Sequence, residues 1–126
     1  MSKSNLSNVI LIVDDDQNIL CCTRDMITDR FPTMKVLCCE TPLEAIKTFI
    51  KHKSTITHAI LDFELPNYKG TSLAEVFKID NPNIKIALFT GHDDFLQTEE
   101  SVNSLNRVIL KPTMGDLIDF ISGEKF

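Results

Sequence analysis

The stretch HAILDFELPNYKG, residues 58–70, decides the fold of this chain. Its apolar part, residues 59–61, is followed by Pro66 and Gly70, which is typical of a short strand buried on both faces of a parallel sheet. Asp62 comes directly after that predicted strand. Ligands of open α/β sheets bind outside the carboxyl ends of the strands, so Asp62 occupies a position where such folds carry their chemistry. Taken alone, a single carboxylate here is better explained as a residue that ends the strand.

Size and composition are those of an ordinary globular domain. The chain has 126 residues, of which 43% are hydrophobic and 25% charged, and this composition argues against intrinsic disorder. The net charge of -5 argues against non-specific nucleic-acid binding, and we expect no nucleic-acid partner through this domain. No apolar run approaches the roughly 20 residues of a membrane span, and the N-terminus lacks a secretory signal. We expect one domain over residues 1–126, with a polar lead-in over 1–8, in the cytoplasm and with no membrane partner.

The four cysteines form two adjacent pairs, Cys21-Cys22 and Cys38-Cys39. Adjacent side chains point to opposite faces of a strand and lie about 100° apart on a helix, so neither pair is a natural metal chelate. We therefore predict four reduced thiols, most of them packed in the interior.

Strands and helices alternate along the chain. The predicted strands cover residues 9–13, 34–39, 59–61, 84–89 and 108–110. The predicted helices cover residues 17–30, 42–52, 72–78, 93–103 and 115–122. Asp16 is a candidate cap for the first helix, and Thr41-Pro42 has the pattern of a helix start. This alternation predicts an α/β fold with a doubly wound, five-stranded parallel sheet and right-handed crossovers.

The first strand runs directly into three aspartates, Asp14, Asp15 and Asp16. Three neighbouring carboxylates repel one another and need compensation from a cation or from solvent. Oxygen ligands suit Mg²⁺, which takes one or two protein carboxylates and keeps several waters. At this point a magnesium site and a cluster simply exposed to water both remain open.

Five polar residues follow the ends of four different predicted strands: Asp14, Asp15, Asp62, Thr90 and Lys111. The carboxyl ends of parallel strands share one edge of the sheet, so these residues should converge. This ordered set, with proline after the lysine, resembles the receiver domain of two-component response regulators, the CheY-like module, over nearly the whole chain. The resemblance implies a flavodoxin-like sheet with strand order 2-1-3-4-5.

The resemblance also implies a phosphoacceptor and a metal site. Asp62 would accept a phosphoryl group from the phosphohistidine of a histidine kinase or phosphotransfer protein and form an acyl phosphate. Mg²⁺ would be held by Asp15 and Asp62, by Asp14 through water, and by the Glu64 carbonyl oxygen.

Lys111 and Thr90 complete the implied site. Lys111 would supply a second positive charge at the phosphoryl oxygens, and the Thr90 hydroxyl would donate to another of them. The expected function is a phosphorylation-controlled switch for a downstream effector that the sequence does not identify, rather than an enzyme with a separate substrate.

Three features depart from the family pattern. Val108 stands where the family often has tyrosine or phenylalanine, and residues 104–106 replace the small turn often seen before the fifth strand. Glu64 adds a carboxylate close to Asp62. We predict that residues 91–106 form the output surface directly, since Val108 is short and stiff, and that Glu64 alters the lifetime of the phosphoryl group.

Other functions fit the sequence less well. A phosphatase of the haloacid-dehalogenase type would use Asp14 and Asp16 as its nucleophile motif, but that motif prefers threonine or valine at Asn18. An FMN carrier of the flavodoxin type would need a hydroxyl-rich loop where this chain has three aspartates. An interaction module that is never phosphorylated remains an open alternative.

Overall fold

The computed structural model describes residues 8–65, 68–91, 107–111 and 113–123, without the side chain of Glu64. Its strands are β1 Val9–Val13, β2 Lys35–Cys39, β3 Ile56–Leu61, β4 Glu64–Leu65, β5 Tyr68–Lys69, β6 Lys85–Thr90 and β7 Arg107–Leu110. Its helices are α1 Gln17–Arg30, α2 Pro42–His52, α3 Gly70–Asp80 and α4 Met114–Ser122. The helix predicted over 93–103 lies outside these ranges.

Five of the strands form one parallel sheet in the order β2-β1-β3-β6-β7. Without the short antiparallel pair β4–β5, this is the predicted order 2-1-3-4-5, and the α/β fold class is confirmed. Val13 lies beside both Cys39 and Leu61 in the register, and Leu61 lies beside Leu88. The carboxyl ends of β1, β2 and β3 are therefore level and β6 extends two residues further, so all of these ends lie at one edge of the sheet, as a shared site requires.

The interior strand β1 is buried along its whole length because helices cover both faces of the sheet. Leu11 and Val13 pack into one core with α2 and α3, while Ile10 and Ile12 pack into a second core with α1 and α4. This two-sided burial accounts for the uninterrupted apolar run in the sequence.

Side-chain caps begin the first two helices at the predicted residues. The Asp16 carboxylate accepts hydrogen bonds from the backbone N–H groups of Asn18 and Ile19, at 2.9 and 3.3 Å. The Thr41 hydroxyl accepts one from the Glu44 N–H at 3.1 Å. Each cap satisfies backbone donors that have no partner inside the helix, so both boundaries were predictable from sequence.

The prediction that most cysteines are packed in the interior is wrong. Cys21, Cys22 and Cys38 are exposed, and only Cys39 is buried; all four are free thiols. On α1, the buried residues are Leu20, Thr23 and Ile27. Cys21 and Cys22 therefore lie outside the inward face of the helix, and Cys38 lies on β2, the edge strand of the sheet.

None of the helices that the structure describes is long and apolar enough to cross a membrane.

Candidate functional site

The backbone fixes Asp14 and Asp62 side by side at the carboxyl edge of the sheet. The Asp62 N–H donates to the Val13 carbonyl oxygen at 2.9 Å, and the Asp14 N–H donates to the Cys39 carbonyl oxygen at 3.1 Å. These bonds continue the sheet ladder one residue beyond the ends of β1 and β3. The two carboxylates are thus positioned by the rigid sheet rather than by a free loop.

Thr90 and Lys111 are held at the same edge by the next two strands. Thr90 ends β6 beside Leu110 of β7, and the Lys111 N–H donates to the Thr90 carbonyl oxygen at 2.8 Å. The Thr90 side chain is fully buried. The sequence-based placement of both residues at strand ends is therefore correct.

Three predicted site residues form a carboxylate cluster. Asp14, Asp15 and Asp62 each offer one carboxylate oxygen, and these oxygens lie within 4.8 Å of one another. Asp14 is 2% exposed and Asp62 is 8% exposed, whereas Asp15 is exposed. Asp16 has a different role, because its carboxylate caps α1. The cluster thus has two buried members and one that faces solvent.

The ammonium group of Lys111 joins the two buried carboxylates. Its Nζ lies 2.9 Å from Asp14 Oδ2 and 3.3 Å from Asp62 Oδ1, and the lysine side chain is only 18% exposed. With three carboxylates ionised and one ammonium group, the formal charge of the cluster is -2 (three negative, one positive). That charge and the all-oxygen ligand set fit a hard divalent cation.

The electrostatics distinguish Asp62 from an ordinary surface aspartate. Burial, and next the charge of Asp14, raise the pKa of Asp62 to about 6, although Lys111 acts in the opposite direction. Burial lowers the pKa of Lys111, but its hydrogen bonds and attraction to Asp14 and Asp62 together raise it above the ordinary value. Asp62 is therefore an anion that the fold stabilises poorly unless more positive charge is added.

A close approach of the backbone to Asp62 was missed by the sequence reasoning. The Gly70 N–H donates to the Phe63 carbonyl oxygen at 2.8 Å, and between them β4 and β5 pair as a short antiparallel ladder. A Cβ atom on Gly70 would lie only 2.2 Å from the Asp62 carbonyl oxygen. Gly70 thus lets α3 begin directly against the Asp62 backbone. The signal that could have indicated this close approach was a glycine at the first residue of a helix, shortly after a strand-end aspartate.

Glu64 lies in β4, and its side chain is outside the described part of the chain. Its predicted roles, as a carbonyl ligand and as a carboxylate near Asp62, stay predictions.

The fold and this cluster define a class of protein: flavodoxin-like α/β domains with a carboxylate cluster that could hold a metal ion at the carboxyl edge of the sheet. Residues 10–122 match the family model of the response regulator receiver domain. The chain therefore belongs to the receiver domain family of response regulators, whose members are signalling domains of two-component systems. No curated protein sequence matches the chain significantly.

Solved structures agree on the fold. A response regulator receiver domain protein from Clostridium thermocellum is 23% identical, with a TM-score of 0.84 and 92% of each chain covered. A CheY-like receiver domain protein from Methanospirillum hungatei is 26% identical, with a TM-score of 0.79, covering 92% of this chain and 91% of the other. The response regulator TrrA from Thermotoga maritima, in complex with Mg²⁺-BeF, is 22% identical with a TM-score of 0.82, covering 92% and 97%.

Proposed function

We propose that this domain is switched by phosphorylation of Asp62. The observation that carries the proposal is the arrangement around that carboxylate: it is buried, has a raised pKa, contacts Lys111 and shares a cluster with two further aspartates. A phosphohistidine of a histidine kinase or phosphotransfer protein is the expected donor. The P–N bond to the donor imidazole breaks, the P–O bond to the Asp62 carboxylate forms, and the imidazole takes up a proton.

Mg²⁺ is the cation we assign to the cluster. Asp15 and Asp62 would hold it directly, with Asp14 acting through water and Glu64 through its carbonyl oxygen. When bound, the ion supplies positive charge between an anionic nucleophile and an anionic phosphoryl group. The indirect role of Asp14 is supported by its contacts, since Oδ2 binds Lys111 and Oδ1 accepts from the Asp16 N–H at 2.9 Å. The Mg²⁺-BeF bound to the related TrrA is consistent with this assignment.

Lys111 and Thr90 would recognise the phosphoryl group. The Lys111 ammonium already lies 3.3 Å from Asp62, so it can hold charge at an oxygen of a group attached there. The Thr90 hydroxyl would donate to another oxygen. A charge-assisted hydrogen bond contributes roughly 1.5–3 kcal/mol. Two or three of them would therefore move a switch from mostly inactive to mostly active, which takes about 5.5 kcal/mol.

The downstream effector would read residues 91–106, of which 92–106 lie outside the described ranges. The residue at position 108 supports a switch in which residues 91–106 respond without an intermediate aromatic side chain. Val108 is half-buried, packs against the α2–α3 side of the core and carries no ring that could turn inward. Hydrogen exchange with and without beryllofluoride tests this assignment. Unchanged protection over 91–106, with a large change elsewhere, would contradict it.

Incubation with acetyl phosphate and Mg²⁺, followed by intact mass spectrometry, tests the phosphorylation itself. We expect one added phosphoryl group that is stable in acid, labile in base and absent when Mg²⁺ is chelated. Asp62→Asn should abolish it, whereas Asp29→Asn, on the exposed side of α1, should not. No mass gain with a folded, Mg²⁺-loaded protein would refute the proposal and favour an interaction module that is never phosphorylated.

The same assay, followed over time, tests the role of Glu64. We propose that its carboxylate changes the access of the hydrolytic water, so Glu64→Asn should change the rate at which the phosphoryl group is lost. An unchanged rate would assign Glu64 no kinetic role.

A further inference from the structure

Four large apolar side chains are exposed within the described ranges, and all four lie on α2 and α3. They are Leu43 (62% exposed), Ile50 (58%), Val76 (37%) and Ile79 (80%). We call this set the α2–α3 patch. Single exposed apolar residues are normal, but an apolar surface on two adjoining helices is typical of an interaction site.

The two helices lie side by side and run in the same direction. The rings of Phe49 and Phe77 stack with centroids 4.2 Å apart, and one turn further along Lys53 Nζ lies 3.8 Å from Asp80 Oδ2. The paired positions differ by 28 residues (77 minus 49) and by 27 residues (80 minus 53). A residue of α2 is therefore level with the residue of α3 that lies about 28 positions later.

The helical period places the four patch residues around one groove. On α2, Phe49 and Lys53 point toward α3. The helix rotates by about 100° per residue, which places Ile50 and Leu43 on that same side of α2 but closer to the solvent. On α3, Asp80 points toward α2. Val76 and Ile79 lie on the same side of α3, also closer to the solvent. The α2–α3 patch thus lies along the outward side of the α2–α3 groove, on the sheet face opposite α1 and α4.

Opposite charges stand on the outward sides of the two helices. Lys47 on α2 and Glu75 on α3 are both exposed, and neither forms a salt bridge with any residue that the structure describes. Their numbers differ by 28, so they are level along the helices. Within one chain they stand on different helices, and their charges are available to a partner.

We propose that the α2–α3 patch is the interface of a homodimer. A twofold axis parallel to the helices places α2 of one copy on α3 of the other and keeps every residue at its own level. Lys47 of each copy then faces Glu75 of the partner, and the two α2–α3 patches cover each other. A twofold axis across the helices would instead set α2 on α2 and α3 on α3 and reverse the levels, so Lys47 would no longer face Glu75.

The dimer should be weak. Each helix has 11 residues and is therefore about 16 Å long, so the contact lies at the small end of specific interfaces. Sedimentation equilibrium from about 10 μM to about 1 mM covers the affinities expected of such a contact. We expect a concentration-dependent monomer–dimer equilibrium, and a protein that stays monomeric over the whole range overturns the proposal.

Substitutions test the orientation. Ile79→Ser should abolish the dimer, because it removes the most exposed apolar side chain of the α2–α3 patch. Lys47→Glu or Glu75→Lys should each weaken the dimer about tenfold, and the double exchange should restore it, because opposed charges fix the register of an interface. Asp29→Lys on α1 and Lys35→Glu on β2 change the net charge equally on other surfaces and serve as matched controls.

The controls and the rescue decide the outcome. A dimer that is insensitive to Ile79→Ser, or a double exchange that does not restore association, overturns this interface. All substituted positions are exposed, and circular dichroism should show unchanged folding. The inference does not rest on phosphorylation, because association of the unmodified protein is measured without Mg²⁺ or a phosphodonor.

Discussion

The ammonium group of Lys111 lies closer to Asp14 than to Asp62, at 2.9 Å against 3.3 Å. Asp14 also accepts a hydrogen bond from the Asp16 N–H, so both of its carboxylate oxygens have partners. Asp62 has the weaker contact and a pKa raised to about 6. The two buried carboxylates therefore differ in their contacts: both oxygens of Asp14 have partners, and Asp62, with the longer contact to Lys111, is the one left for further chemistry.

This difference predicts the metal dependence of the site. Asp15→Asn and Asp62→Asn should each lower Mg²⁺ affinity more strongly than Asp14→Asn, for which we expect a loss of about tenfold, typical of a residue that acts outside direct coordination. Isothermal titration calorimetry measures these affinities, with Asp29→Asn as a remote control. Equal losses for Asp14→Asn and Asp15→Asn would contradict the assignment.

Asp62→Asn should stabilise the protein when no metal is present. The pKa of Asp62 is raised from 3.8 to about 6 in the folded state, so its ionised form is disfavoured there relative to the unfolded chain. Above pH 6 the substitution removes a cost of up to about 3 kcal/mol. The gain should shrink as the pH falls below 6 and vanish below 3.8, where the carboxyl group is protonated in both states.

Urea unfolding in EDTA at pH 7.5 and at pH 3.5 measures this gain. Adding Mg²⁺ should stabilise the wild type much more than Asp62→Asn, because the ion binds the folded cluster and the substitution weakens that binding. A metal-free Asp62→Asn protein that is less stable than the wild type at pH 7.5 would show that the attraction of Lys111 outweighs burial.

Much of the fold was predictable because its signals are local. The apolar run of β1, the Asp16 cap and the Thr41-Pro42 start each depend on a few neighbouring residues, and β1, α1 and α2 lie within the predicted bounds. β3 begins at Ile56, three residues before the predicted start, because the polar residues Thr57 and His58 interrupt the pattern. His58 is nevertheless buried, and its burial depends on packing against α4, which the local pattern does not contain.

The candidate site was predictable as a set of strand ends but not in its internal contacts. Strand order places Asp14, Asp62 and Lys111 at one edge, but the preference of Lys111 for Asp14 depends on side-chain geometry. The close approach of Gly70 to the Asp62 carbonyl oxygen depends on the pairing of β4 with β5, which brings the chain back to Asp62. Exposure of Cys21 and Cys22 likewise follows from which side of α1 meets the sheet, and hydrophobicity alone did not determine it.

Gly70→Ala should destabilise the protein and disturb Asp62. The added Cβ would lie 2.2 Å from the Asp62 carbonyl oxygen, and the backbone has to shift to relieve that contact, so we expect a loss of about 1–3 kcal/mol. Gly115→Ala is the matched control: nothing lies within 4 Å of the added Cβ in α4, and alanine should stabilise that helix by about 0.5–1 kcal/mol.

Thermal unfolding of the two glycine variants, together with their Mg²⁺ affinities, checks both expectations. Gly70→Ala should weaken Mg²⁺ binding because it moves a ligand, whereas Gly115→Ala should leave the affinity unchanged. A Gly70→Ala protein with wild-type stability and Mg²⁺ affinity would mean that α3 relaxes without cost.

His58 should control stability in acid. It is buried on the α4 side of the sheet, edge-on to the Phe120 ring, with Nδ1 2.7 Å from the Thr57 hydroxyl. Burial, and next the charge of Lys85, lower the pKa of His58 from 6.5 to about 4. As the pH falls from 6.5 to about 4, the unfolded chain binds a proton that the folded one does not, so up to about 3 kcal/mol of stability is lost.

Protonation of Asp62 in the same pH range changes the stability in the opposite direction. Below pH 6 the folded protein binds a proton at Asp62 before the unfolded chain does, so stability rises as the pH falls. The two effects are similar in size and should largely cancel in the metal-free wild type. The loss due to His58 should therefore appear fully only in the Asp62→Asn background, and His58→Gln added to that background should remove it. His52→Gln, on α2, is the control substitution and should leave the loss of stability in place. Urea unfolding between pH 6.5 and pH 4 measures these slopes, and an equally steep loss with and without His58 would assign acid sensitivity to other groups.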